Sequence, residues 1–221
     1  MKRALIAVAL VAAAAFFAAP AGATRECSGF VVCVRVAGPW VLAGPREVEF
    51  QLACPQKFVV GGLDAELSER GIAVGFRGAL GAPVNPGITT STSVVFLGRL
   101  VRGGPQAASF RPHIGCVPAS GSGKRFPTSI RAVAPSGLPV MTQISVFPGT
   151  RRYVAACPAH LRLASATHAI AFYTAAPPSA ALAASVSVEQ AVRSGRVYLV
   201  VHGATEIRSV HAVVQLDLVC A

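Results

Sequence analysis

The chain has 221 residues, 53% of them hydrophobic and 13% charged, and its 20 Lys and Arg outnumber its 9 Asp and Glu to give a formal charge of +11. A basic surplus suits anionic partners such as cell-wall polymers or nucleic acid. The arginines are mostly scattered singly, however, and no basic run is longer than two residues, as at Arg151-Arg152, which argues against a nucleic-acid-binding protein.

The first 23 residues read as an export signal. Met1-Lys2-Arg3 is a short cationic start, Ala4 to Ala19 an apolar run closed by Pro20, and Ala21-Gly22-Ala23 a small-residue cleavage site. The apolar run is shorter than the roughly 20 residues that span hydrocarbon, and no later segment replaces it. Thr24-Arg25-Glu26-Cys27 does not resemble a lipidated cysteine, and the chain stops at Val219-Cys220-Ala221 without a sorting tail. The expectation is cleavage after Ala23, no stable membrane insertion afterwards, and a secreted, extracellular product. Such a product has 198 residues (221 − 23), with 18 basic against 9 acidic side chains, a net +9.

Period-two alternation then dominates. Strands are predicted at Val31 to Val36, at Val48 to Cys54, and at Phe58 to Val60, Ile72 to Phe76 and Val94 to Leu97. In the second of these, Val48, Phe50, Leu52 and Cys54 share one face and Glu47, Glu49 and Gln51 the other. Phe110, Ile114 and Cys116 alternate with Arg111 and His113, and Pro112 marks that strand as an edge or bulged one. Further strands are predicted at Val140 to Phe147, before Cys157, and at Leu161 to Leu163, Ala169 to Tyr173 and Val197 to His202. A last one carries Val210, Ala212, Val214, Leu216, Leu218 and Cys220 opposite His211, Gln215 and Asp217. Arg193-Ser194-Gly195-Arg196 reads as a tight hairpin turn. Helix is confined to Ala65 to Arg70 and Ser179 to Ala184.

Two stretches each open with Cys-Pro and close with Cys after nearly the same length: Cys54-Pro55 to Cys116 (116 − 54 = 62) and Cys157-Pro158 to Cys220 (220 − 157 = 63). Upstream, Cys33 to Pro39 answers Ser129 to Pro135, and Gly44-Pro45-Arg46 answers Pro148 to Arg151. The expected organisation is a signal peptide at 1–23, a first unit at 24–118, a Gly/Ser linker at 119–127 and a second unit at 128–221. The fold class expected is all-β: two similar disulfide-stapled β-sandwich or jelly-roll-like units in tandem. The repeat pairs Cys54 with Cys116 and Cys157 with Cys220; Cys27 and Cys33 pair by elimination. Export makes such bridges chemically sensible.

Cys54-Pro55 followed by Gly61-Gly62, a β-rich body and the closing Val219-Cys220-Ala221 resemble uncharacterised secreted repeat proteins of high-GC Gram-positive bacteria. The arginine bias and abundant Ala, Gly and Pro agree with a GC-rich genome. The second half departs from the pattern, with Ala164-Ser165 where Gly-Gly would stand. The resemblance implies export and a β fold, and no activity.

Candidate chemistry is sparse. Asp64 and Glu66 are clustered carboxylates that would share a strand face, one way to present an acid/base pair; the plainer reading is a solvated strand end with Arg70 as local partner. Five histidines show no tight ligand spacing, His168 reads as a partly buried core residue, and neither metal nor other cofactor is expected. Ser120 and Ser122 lack a nucleophile elbow, and Gly121-Ser122-Gly123-Lys124 lacks the rest of a phosphate-binding loop. Trp40, the single Trp, is expected in the β-layers, with exposure on a Pro-flanked loop as a binding contact the alternative. These readings favour a non-catalytic extracellular protein with a structural or binding role, partnered by a cell-envelope polymer or an extracellular protein. The alternatives are a secreted hydrolase of polysaccharide or peptide using Asp64, Glu66 or a histidine, and a protease inhibitor presenting Pro83 to Ile88. The two units are expected to close separate cores, with a cleft between them as the binding site.

Overall fold

Alternating side chains become antiparallel strands throughout the computed structural model, which describes residues 24–77, 92–101, 107–119 and 140–221. The export signal, the Pro83 to Ile88 loop, the linker from Ser120 onward and the Ser129 to Pro135 stretch lie outside the described residues. The first half of the chain supplies β1 (Val34–Ala37), β2 (Trp40–Leu42), β3 (Val48–Ala53), β4 (Phe58–Leu67), β5 (Ile72–Arg77), β6 (Ser93–Leu100) and β7 (Ser109–Pro118). The second supplies β8 (Val140–Ser145), β9 (Gly149–Ala156), β10 (Leu163–Phe172), β11 (Val186–Arg193), β12 (Arg196–Gly203) and β13 (Ala212–Cys220).

Among the described residues helix is limited to α1 (Ala180–Ala184), capped by the Ser179 hydroxyl accepting the Leu182 N–H, and a short 3-10 turn at Thr205–Ser209. The helix expected at Ala65 to Arg70 does not form. Alternation of Asp64 and Glu66 with Leu63, Ala65 and Leu67 instead carries β4 on to Leu67. The Arg193 to Arg196 turn is present as predicted. Ser194 and Gly195 both take positive φ, 50° and 72°, matching the twist of the β11–β12 hairpin.

A seven-stranded sheet runs through both halves in the order β1-β7-β2-β10-β13-β8, with β4 on the opposite edge of β7. Two three-stranded sheets, β3-β6-β5 and β9-β12-β11, accompany it. The halves join where β2 lies between β7 and β10: Val41 pairs with Phe110 on one side and Ala171 on the other.

Because neighbouring side chains on a strand point to opposite faces, the long sheet presents two apolar surfaces. Val41, Phe110, Ile114, Ala169, Ala171 and Val213 pack with Phe50, Val94 and Phe96 of the first small sheet. Phe172, Val214, Leu216 and Leu218 pack on the reverse side with Val197, Leu199 and Val201 of the second. Fully burying a side chain such as Phe110 or Phe172 contributes roughly 1.5–3 kcal/mol. The cores are therefore not the separate property of each half, since the first takes Ala169, Ala171 and Val213 from the second. This departs from the expected independent units with a cleft between them.

Disulfides join Cys54 to Cys116, Cys157 to Cys220 and Cys27 to Cys33, the three predicted pairs. Both Cys-Pro steps follow directly on strands of the small sheets, β3 and β9, and each bridge ties its small sheet to the long one.

Pro112 corrects one expectation. Its strand, β7, is paired on both sides, with Pro112 opposite Ala65 of β4 and facing the break between β1 and β2 on the other edge. At that break the Pro112 carbonyl accepts the Gly38 N–H at 2.8 Å, and Arg111 Nε donates to the Gly38 carbonyl at 3.0 Å. The donor that proline lacks is replaced by a side chain, so an interior strand tolerates it.

Candidate functional site

The sequence pointed first to Asp64 and Glu66. Extension of β4 does put Gly62, Asp64 and Glu66 on one face, opposite Gly115, His113 and Arg111 of β7. The Glu66 carboxylate stands 3.6 Å from His113 Nε2 and 3.9 Å from Arg111 Nη1. Asp64 Oδ2 accepts the backbone N–H of Arg25 at 2.6 Å, and Oδ1 that of Ala65 at 2.8 Å. The two acids share a face, but each already holds protein groups. Arg70 is not the partner of either: Asp64 is held by backbone N–H groups and Glu66 by its cross-strand neighbours Arg111 and His113, which a sequence separation of about fifty residues hid.

The Arg25 bond belongs to a short strap, Thr24 to Phe30, that lies over this face. The Glu26 carbonyl sits where side chains at Gly62 or Gly115 would be: an added Cβ would come within 1.9 Å and 2.1 Å of it, respectively. The second glycine of the Gly61-Gly62 pair is thus required by close approach of the strap. Glu26 itself is 1% exposed, with Oε1 3.1 Å from the Thr24 hydroxyl and 3.7 Å from Arg35 Nε. The Cys27–Cys33 bridge fixes the strap's far end.

Trp40 is 4% exposed and pairs with Phe172 where β2 meets β10. The exposed-contact reading for Trp40 gives way to packing, because the Pro39-Trp40 step enters the joint between the halves. His168 is partly buried, as predicted, and its Nδ1 lies 2.7 Å from Gln190 Oε1; Gln190 Nε2 donates to the Ala166 carbonyl, tying β11 to β10. Among the described residues no group of His, Cys, Asp and Glu has the arrangement to hold a metal ion.

One buried acid escaped the sequence reading. Asp217 is 1% exposed, and neither carboxylate oxygen has a hydrogen-bond partner among the described residues. Its pKa is pushed up from 3.8 to about 7, chiefly by burial, then by the nearby Glu49 carboxylate, with Arg77 opposing. Glu49 is itself ion-paired to Arg77 at 2.5 Å. Alternation had placed Gln215 and Asp217 on the polar face of β13; that face is covered because β3 packs over it.

The remaining feature is a surface. On β9-β12-β11, the small sheet of the second half, Val197, Leu199 and Val201 face the core, so the alternate residues face solvent. Arg193 and Arg196 stand opposite each other beside the turn. Tyr198 lies between Val154 and Ala191 in the middle, and Arg152 flanks Val200 one step further. Arg152, Arg193, Arg196 and Tyr198 are exposed, and none of these arginines is in an ion pair among the described residues. Glu189 is the one acid on this face. Sequence spacing scattered these arginines; only strand register gathers them.

The fold and its bridges define a disulfide-stapled, sandwich-like all-β protein. No family model, curated protein or solved structure matches the chain.

Proposed function

We propose that this is a secreted, non-catalytic β protein that binds an anionic glycopolymer of the cell envelope through the outer face of β9-β12-β11. The observation that carries the reading is the set of three arginines, without an ion pair among the described residues, around Tyr198 on one exposed sheet face. From Arg196 to the Arg152–Val200 row the distance along β12 is about 13 Å, so a polymer lying along the strand meets cationic groups at both ends. The tyrosine between offers an apolar ring and a hydroxyl to a sugar. Three separated arginines on an open sheet suit a sparsely charged polysaccharide better than the close-set phosphates of nucleic acid. Export and cleavage after Ala23 are part of the proposal, supported by the three disulfides. So is descent of the halves from one repeated unit, supported by their matching pairings: β4 with β7 and β10 with β13, β3-β6-β5 and β9-β12-β11. The non-catalytic reading is supported by Asp64 and Glu66, which are engaged in holding the strap and β7.

Titration with polygalacturonate, neutral dextran and duplex DNA tests it. Binding to polygalacturonate that weakens with salt is expected, with none to dextran. Replacing Arg152, Arg193 and Arg196 together by Gln should abolish it, whereas the equally charged change at exposed Arg46, Arg99 and Arg208 should leave most of it. Equal losses in the two variants, or tighter binding to DNA, would contradict the proposal.

A further inference from the structure

The strap poses a charge problem. Glu26 is buried, Oε2 has no hydrogen-bond partner among the described residues, and the cation paired with it there, Arg35, is 3.7 Å away from the other oxygen on a largely exposed side chain. Burying a carboxylate so poorly matched is costly. Two residues earlier the Thr24 hydroxyl touches Glu26 Oε1 at 3.1 Å, and between them the Arg25 N–H is held by Asp64. Both acids therefore converge on the chain at Thr24, directly after the Ala21-Gly22-Ala23 cleavage sequence.

We infer that this is a receptor site for the chain's own new N-terminus: the α-ammonium of Thr24, released on export, docks against Glu26. The inference rests on the export reading above. Hydrolysis of the Ala23–Thr24 peptide bond by an export peptidase adds one water, leaving a carboxylate on Ala23 and an amine on Thr24 that is protonated at neutral pH. Covalent geometry keeps that nitrogen within about 4 Å of the Thr24 hydroxyl oxygen, and the hydroxyl already contacts the carboxylate. An uncleaved chain has at this point a neutral amide with one N–H. A cleaved one has a cation with up to three donors beside an acid that lacks a partner. Processing thus locks the strap onto Gly62 and Gly115 and closes the outer face of β4 and β7.

The sign of the pH dependence follows. An ammonium that gains a carboxylate partner has its folded pKa raised above the ordinary 7.7–8.0 or so. Its stabilisation is complete below that value and is lost as pH rises through the folded pKa.

The test compares the chain beginning at Thr24 with the same chain N-acetylated, each also as Glu26→Gln. At pH 6.5 the free amine should raise Tm by roughly 2–4 °C or more over the acetylated form. The gap should close above pH 10 and in Glu26→Gln. Equal Tm values, or a gap that persists in Glu26→Gln, would overturn the inference. Should Glu26→Gln not fold, NMR titration of the Thr24 amine in the unaltered chain decides: a raised pKa supports docking and an ordinary one overturns it. N-terminal sequencing of the exported protein tests the export reading separately. A start other than Thr24 defeats the processing step, while the Thr24 chain still reports on the site.

Discussion

The side chain of Gln215 closes on the backbone of Gln51: Oε1 accepts the Gln51 N–H at 2.5 Å and Nε2 donates to the Gln51 carbonyl at 3.1 Å. Among the described residues β3 is paired with β6 on one side only, so its other edge would leave backbone donors and acceptors unmet. One amide from β13, in the other half of the chain, satisfies both groups of Gln51 and blunts that edge. Gln215→Leu keeps the volume and removes both bonds. It should lower stability by about 2–4 kcal/mol, the cost of leaving buried polar groups unpaired, seen as a lower urea midpoint at unchanged m.

Asp217 makes stability fall as pH rises from about 4 to about 7. Its folded pKa of about 7 lies above its ordinary 3.8, owing to burial first and Glu49 second, with Arg77 opposing. The folded chain therefore holds a proton between these values that the unfolded chain has released. Stability attributable to this group is greatest near pH 4 and declines toward pH 7 by up to about 1.4 kcal/mol per pH unit. Denaturation of Asp217→Asn across that range should show the decline removed and the protein more stable than the parent at pH 8.

Gly62→Ala should lift the strap, because its Cβ would lie 1.9 Å from the Glu26 carbonyl oxygen. Trypsin should then cut after Arg25 several-fold faster than in the parent. Gly61→Ala meets side chains rather than the strap's backbone, Val117 at 2.9 Å and the tip of the Phe30 ring at 3.1 Å, and should raise the cutting rate less than Gly62→Ala does.

Replacing Cys54 and Cys116 together by Ala should cost about 4 kcal/mol on the chain-entropy estimate for a loop of this length. The equivalent change at Cys157 and Cys220 closes a similar loop, 63 residues against 62. The first pair should cost more, since Cys116 is wholly buried in the core beside Phe110 and Ile114, whereas Cys220 is partly exposed. Thermal denaturation of the two variants side by side checks both magnitude and order.

What the sequence made legible was local or repeated. Alternation located Val48 to Cys54 and Ala212 to Cys220 as strands, and the spacing of Cys-Pro to Cys paired four cysteines, because these signals need only neighbours or a period. The Ser194-Gly195 turn declared itself by its residue types. What stayed hidden depended on register and layering. The partners of Glu66 are across a ladder in β7, and the cover over Gln215 and Asp217 comes from a strand more than 160 residues earlier. Arg152, Arg193 and Arg196 share a face only because β12 pairs with β9 and β11 in one register. Pro112 misled for the same reason: the side chain that compensates for its missing donor, Arg111, acts through Gly38, in the break between β1 and β2.

That the halves share one sheet is tested most directly by nicking the chain within Ser120 to Lys124 and analysing the product by size exclusion without denaturant. Neither long disulfide crosses the nick, as Cys54–Cys116 lies before it and Cys157–Cys220 after. The β2–β10 pairing, the Gln51–Gln215 clasp and the shared core predict that the two fragments elute together at the size of the intact chain and separate only in denaturant. Fragments that part in native buffer, each still folded, would contradict it.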